Sequence, residues 1–186
     1  MSKPSIERSQ LTGTYTIDAA HSTFGFTARH AMVTKVRGGF NDFAGTLTVD
    51  AEDPAGASAE VTIEAASIDT RNADRDAHLK STDVFAMDQY PQLSFRSIEI
   101  EPKSDREFRV TGDLTIRGVT KELCFDLDYT GAVIDPGGNL RVGFEGRTEV
   151  NRKDWGLNWD TPLDTGGVLV SEKVTLEFEV SATKDA

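Results

Sequence analysis

Phe108-Arg109-Val110-Thr111-Gly112-Asp113-Leu114-Thr115-Ile116-Arg117 is the stretch on which the fold turns. Phe108, Val110, Leu114 and Ile116 fall on one face of an extended chain; Arg109, Thr111, Asp113, Thr115 and Arg117 fall on the other. A strand projects successive side chains to opposite sides, and a helix would scatter this set around its circumference. The segment therefore reads as a strand with one dry face and one wet face.

The same period of two continues outward from it. Leu123, Phe125, Leu127 and Tyr129 oppose Cys124, Asp126 and Asp128. Leu140, Val142, Phe144 and Val150 oppose Arg141, Glu145, Arg147 and Glu149. The last run sets Val174, Leu176, Phe178 and Val180 against Thr175, Glu177, Glu179 and Ser181. Runs at 13–18, 22–30, 36–50, 59–66 and 92–101 share the pattern less regularly. Between the runs stand Gly38-Gly39, Asp53-Pro54-Ala55-Gly56, Arg117-Gly118 and Asp135-Pro136-Gly137-Gly138-Asn139. Such residues supply the fixed or positive φ that chain reversals need. A meander of this kind predicts an all-β antiparallel barrel or sandwich.

One segment departs from the period. Asn72 is followed by Ala73-Asp74-Arg75-Asp76-Ala77-His78-Leu79-Lys80, mostly good helix formers, with Asp74 in the first turn. Asn is a favoured N-cap, and an acidic first turn suits the helix dipole. A short helix over 72–80 is expected across one end of the sheet, and Pro91 closes the irregular stretch before the next strand.

At 186 residues the chain is expected to form one domain over 12–186, preceded by a polar, flexible tail at 1–11. Hydrophobic residues make up 38% and charged residues 27%, which excludes a disordered chain. The net charge of -11 argues against a nucleic-acid partner, since neutralising phosphates needs clustered Lys and Arg. The single cysteine, Cys124, permits no intrachain disulfide and no thiolate cluster, and its alternation with Leu123 and Phe125 points it outward. No run approaches the ~20 apolar residues of a spanning helix, and the N-terminus carries no signal-like apolar core. A cytoplasmic protein without a transmembrane segment is the expectation.

The dry face mixes bulky and small groups. Phe24, Phe26, Phe95, Phe125, Phe144 and Phe178 share it with Ala28, Ala65, Gly112 and Gly146. Barrels of about eight strands either fill with side chains or enclose one ligand. The mixture and the long strands fit a cavity, and a packed sandwich core remains the alternative from pattern alone.

Three polar fragments stand at strand ends: Asp18-Ala19-Ala20-His21-Ser22, the stretch Arg71 to Leu79, and Asn151-Arg152-Lys153-Asp154-Trp155-Gly156. His21 and Arg75 could contact a ligand's polar head at a barrel mouth or tie the helix to the sheet. Arg152 could receive a phosphate or carbonyl oxygen through directed donors, or pair with an Asp to fix its loop. Trp155 and Trp159 could form a lid or fill the barrel's bottom. The histidines His21, His30 and His78 are spaced against convergence on a metal. No nucleophile elbow, P-loop, dinucleotide fingerprint or HExxH occurs.

Taken in order, these fragments resemble the YceI family. The likeness begins with Gly13-Thr14-Tyr15-Thr16-Ile17-Asp18, His21-Ser22 and Phe24. It runs through Gly38-Gly39-Phe40, Ser67-Ile68-Asp69-Thr70, Arg75-Asp76-Ala77-His78-Leu79-Lys80-Ser81, Tyr90-Pro91 and Phe95. It continues with Gly112 to Lys121 and ends at Asn151-Arg152-Lys153-Asp154-Trp155-Gly156. Val84 stands where an aromatic is usual and Trp155 where Phe is common. Many relatives carry an export signal, which is not seen here. The resemblance implies a lipocalin-like antiparallel barrel with a helix near one end. It also implies a hydrophobic pocket for an isoprenoid chain, either a polyprenyl lipid or a quinone tail, and frequently a homodimer.

The combined expectation is a non-enzymatic lipid-binding protein with an isoprenoid lipid or quinone as ligand and no catalytic cofactor or metal. The expected lining is Phe24, Phe26, Ile63, Phe95, Leu114, Ile116, Phe125, Leu127, Phe144, Leu176 and Phe178. The expected polar mouth is His21, Arg75, His78, Arg152, Asp154 and Trp155. Two other readings stand beside it: an enzyme acting on a small hydrophobic substrate through His21, Arg75 or Asp76, and a stress-related interaction module whose barrel is plugged by its own side chains.

Overall fold

The computed structural model describes residues 5–160 and 170–186. Among them run β1 (Gly13–Ile17), β2 (Thr23–His30), β3 (Thr34–Phe40), β4 (Phe43–Val49), β5 (Ser58–Glu64) and β6 (Ile68–Asp69). The helix α1 (Ala73–Lys80) comes next, and then the long strands β7 (Gln92–Pro102), β8 (Glu107–Ile116), β9 (Val119–Ile134), β10 (Leu140–Asn151) and β11 (Val170–Lys184).

Every pairing is antiparallel, and β11 closes the sheet on β1. The ring runs β1-β4-β5-β7-β8-β9-β10-β11, an eight-stranded barrel. β2, β3 and β6 are continuations of its staves. β11 pairs with β2 through Val174–Glu179 and with β1 through Ala182–Lys184, so β1 and β2 form one interrupted stave. β3 and β4 are likewise interrupted at Asn41-Asp42, and β5 and β6 at Ala65–Ser67. The run read from the sequence as one strand over 36–50 is thus two. Its break is stitched to the neighbouring one, since Asn41 N donates to Ser67 O at 3.2 Å and Glu64 N to Asp42 O at 2.9 Å. These bends let three staves turn in register at the same level of the wall.

The helix starts where the capping chemistry places it. The Asn72 side chain accepts from Arg75 N at 2.9 Å. Hydrogen bonds then fasten the helix to β6: Asp76 accepts from Thr70 N at 3.0 Å and from its hydroxyl at 2.5 Å, and the Arg75 guanidinium donates to Thr70 O at 2.6 Å.

The two ends of the barrel differ. At one, Ile68, Val84, Phe85, Leu114, Ile116, Trp155 and Leu157 form a buried cluster. Trp155 is 3% exposed and its indole N–H donates to Leu114 O at 2.8 Å. At the other lie the short reversals 103–106 and 135–139, the loop 50–57 and the N-terminal stretch. Part of that stretch, assigned to the tail by the sequence, packs on the barrel. Arg8–Leu11 forms a 3-10 helix, Arg8 Nε donates to Ala51 O at 3.0 Å, and the Tyr15 hydroxyl donates to Leu11 O at 2.8 Å.

Candidate functional site

Inside the barrel is a cavity of about 470 Å³, within the ~300–1,000 Å³ range of small-molecule sites. All eleven residues expected to line it do so: Phe24, Phe26, Ile63, Phe95, Leu114, Ile116, Phe125, Leu127, Phe144, Leu176 and Phe178. On β8 the lining runs from Phe108 to Ile116. That span is about 26 Å along the strand at ~3.3 Å per residue, or about 20 Å along the axis of a barrel whose strands tilt ~35–45°.

Why the lumen stays open is visible in how its rings lie. Phe95 on β7 reaches across Gly112 of β8 to meet Phe125 of β9, with ring centroids 5.7 Å apart. Phe178 on β11 reaches across Gly146 of β10 to the same Phe125, 5.0 Å away. Phe178 also stacks on Phe24 at 6.3 Å, and Phe24 meets Phe43 edge-on at 4.7 Å. A Cβ at Gly112 or Gly146 would collide with the ring above it. The two glycines thus let the rings lie along the wall instead of across the space. Edge and offset contacts of this type contribute about 0.5–1.5 kcal/mol each beyond burial. Phe24, Phe26, Phe95, Phe125, Phe144 and Phe178 all stay half-buried although they point into the barrel. Their remaining accessible surface faces the lumen.

The cavity reaches the end of the barrel formed by Arg8, Leu11, Asp50, Ala51, Pro54, Ser58 and Asp105, all of which line it. Of these, Arg8, Ser58 and Asp105 are exposed. Tyr129 lines the same region beside Phe144, with ring centroids 5.6 Å apart. Burial raises the phenol pKa of Tyr129, and that of Tyr15 nearby.

The expected polar mouth is a different matter, because none of its six residues lines the cavity. Arg75 binds the backbone and hydroxyl of Thr70, fastening α1 to the sheet. His78 Nε2 lies 3.3 Å from Asp83 Oδ2, and its ring meets Trp159 edge-on. Arg152 is 4% exposed and donates to Ser171 O, Val170 O, Leu157 O and the Asp160 carboxylate, with its guanidinium 4.6 Å from the Trp159 ring centroid. Trp155 is core, and Asp154 is exposed to solvent. These residues lie at or beside the closed end.

His21 stands outside the wall, at the β1–β2 break. Its Nδ1 is 2.7 Å from Asp18 Oδ2, and Arg141 donates to the same oxygen at 2.7 Å and to Asp135 at 3.2 Å. The Arg141 guanidinium, then His21, holds the Asp18 carboxyl well below its usual range, at about 2. Among the described residues no group of three or more His, Cys, Asp or Glu is arranged to hold a metal ion. Cys124 is exposed on the outer face of β9.

The rim residues Arg8, Asp50 and Asp105 were missed because strand periodicity tells inside from outside but not one end from the other. Tyr129 carried a legible signal. It is the last inward position of the run Leu123, Phe125, Leu127, Tyr129, and the first there with a polar tip.

Comparison with known proteins gives a consistent result. The YceI-like domain model matches residues 15–182. A UPF0312 protein of Staphylococcus aureus is 39% identical over 169 residues, covering 90% of this chain and 95% of its own length. BcnA of Burkholderia cenocepacia superposes with a TM-score of 0.79 at 25% identity, over 90% of this chain and 99% of that one. A Campylobacter jejuni YceI protein gives a TM-score of 0.73 at 28% identity, over 85% and 90% of the two chains. A Saccharophagus degradans domain described as polyisoprenoid binding shares the fold, with a TM-score of 0.72 at 16% identity over 92% and 98%.

Proposed function

The chain belongs to the YceI family, and from that membership and the unfilled barrel we propose that it binds a long-chain isoprenoid lipid in the lumen. The ligand is a polyprenyl lipid or an isoprenoid quinone, and the protein acts as its carrier or sequestering partner. The observation that carries this reading is the ring of half-buried phenylalanines facing a cavity of about 470 Å³. A hydrocarbon tail placed there removes their remaining apolar surface, and its own, from water at roughly 25 cal/mol per Å².

A binding role fits the polar residues better than a catalytic one. His21, Arg75 and Asp76, the groups best suited to acid–base work, lie off the cavity and are engaged with Asp18 or Thr70. No helix among the described residues is long and apolar enough to cross a membrane.

Solvent extraction of the purified protein, with lipid mass spectrometry of the extract, tests the proposal, and an isoprenoid is the expected product. Phe125→Asp sets a carboxylate at the meeting point of the aromatic chain, where an unpaired charge is costly. Retention of the lipid is expected to vanish while the circular-dichroism spectrum stays that of a β-barrel. A folded Phe125→Asp protein that keeps its lipid refutes a tail in the lumen.

A further inference from the structure

The chemistry of the rim bears on which end of the ligand faces out and what that end carries. The lining is apolar through the middle of the barrel and the closed end, so a polar group finds no partners at that depth. Polar side chains gather instead where Arg8, Asp50, Ser58, Asp105 and Tyr129 line the cavity. A lipid whose tail fills the lumen therefore has its polar end at this rim.

Charge at the rim discriminates between polar ends. Arg8 is the single cation lining the cavity among the described residues, against the carboxylates of Asp50 and Asp105. Arg8 already donates through Nε to Ala51 O. The loop that carries Asp50 also carries Glu52 and Asp53 and no Lys or Arg. A mono- or diphosphate brought here meets like charges, and like charges a few ångströms apart repel even through water. Arg106, whose charge reaches the Tyr129 phenol, is exposed and does not line the cavity. A phosphate-binding site is built from several convergent guanidinium, ammonium or backbone N–H donors.

What the rim does offer is a phenol. Tyr129 stands on the inner face of β9 at the polar end of the cavity, and its hydroxyl has no hydrogen-bond partner among the described residues. The nearby Tyr15 hydroxyl is taken by Leu11 O. A phenol can donate to a carbonyl oxygen and can donate to or accept from a hydroxyl.

We propose that the lipid lies with its polar end at the Arg8–Asp105 rim, hydrogen-bonded to Tyr129, and that this end is an uncharged carbonyl or hydroxyl group, so that the acidic rim rejects phosphorylated prenyl chains. This rests on the lipid-binding reading above. The class admitted is prenyl alcohols and prenylated quinones, and the class refused is prenyl phosphates of the same tail.

Delipidated protein titrated with geranylgeraniol, geranylgeranyl diphosphate and the headless hydrocarbon phytane, read by native mass spectrometry, tests this directly. Geranylgeraniol is expected to bind more tightly than the diphosphate by tenfold or so, the equivalent of about 1.4 kcal/mol. Tyr129→Phe is expected to weaken geranylgeraniol about fivefold, as loss of one hydrogen bond does, and to leave phytane unchanged. Diphosphate binding as tight as the alcohol's overturns the assignment of an uncharged head. Indifference of geranylgeraniol to Tyr129→Phe overturns the role of the phenol. Failure of the wild type to take up any of the three overturns the lipid-binding reading itself, and this inference with it.

Discussion

The closed and open ends of this barrel are made by the same alternating strands and differ in the connections that join those strands. At the closed end two of the connections, those after β6 and after β10, are long and carry apolar side chains. Val84 and Phe85 come from the segment after α1, and Trp155 and Leu157 from the segment after β10, and both fold back into the barrel. At the open end the reversals at 103–106 and 135–139 are short and polar, with nothing to fold inward. Period-two alternation makes a dry interior, and the connections decide which end of it is stoppered. The closed end is also fastened from outside: Arg152 grips Val170, Ser171 and Asp160, and Arg75 grips Thr70.

If one end is packed core and the wall is a binding surface, truncations at the two places should cost stability unequally. Trp155→Ala removes a ring that is 3% exposed, together with its bond to Leu114 O. The expected loss is about 3–5 kcal/mol. Phe144→Ala removes a half-buried ring from the lumen wall, with an expected loss of about 1–2 kcal/mol in the lipid-free protein. Urea midpoints of the two variants against wild type check this. Equal losses would mean that the wall rings are as tightly packed as the stopper, and the contrast between the regions would fail.

Much of this architecture can be read from the chain. The inward set from Phe24 to Phe178 comes from parity alone, since a residue's side of the sheet is fixed by its position along the strand. Asn72 marks the helix start because its side chain can accept from Arg75 N. The ends of the barrel could not be read in this way. Arg75 sits in the short helix α1, and Arg152 and His21 in single 3-10 turns between strands, and such a connection looks polar whether it rings an opening or ties down a plug. Only the three-dimensional partners of Arg152 (carbonyls, a carboxylate and an indole face) show it to be an anchor. The break at Asn41-Asp42, inside the run read over 36–50, was missed although it leaves a mark: the inward set steps from Phe40 to Phe43 and Leu47, an odd step that an uninterrupted strand does not allow.

A smaller effect tests how the wall keeps the lumen clear. Gly146→Val places a branched side chain where the Phe178 ring now lies, so that ring must swing toward the centre of the cavity. The barrel is expected to fold at a cost of about 1–3 kcal/mol, the usual range for overpacking. It should lose affinity for long tails more than for short ones. The ratio of binding constants for a C20 and a C10 prenyl alcohol reads this out. An unchanged ratio would show that the ring has room elsewhere and that the glycine is not what holds the space open.

The mildest effect concerns acid and the clasp on the open half. Asp18, at the β1–β2 break, ties Arg141 to the wall, and Arg141 reaches Asp135 in the 135–139 reversal. The Arg141 guanidinium, with His21 second, lowers the Asp18 pKa from 3.8 to about 2. A carboxyl depressed on folding contributes stability that is complete above its unfolded value and is lost as pH falls through the folded one. The wild type should therefore exceed Asp18→Asn in stability from neutral pH down to about 4 and converge with it toward pH 2. Partly exposed pairs contribute about 0.2–1 kcal/mol, so the gap above pH 4 should fall in that range and shrink with added salt. Chemical denaturation at stepped pH measures it. The closed end supplies the control, since Trp155→Ala removes no titrating group and should run parallel to wild type through the same interval. A wild-type advantage over Asp18→Asn that persists at pH 2 would mean that the clasp works through packing and not charge, and the open half would then be held by the same means as the stopper.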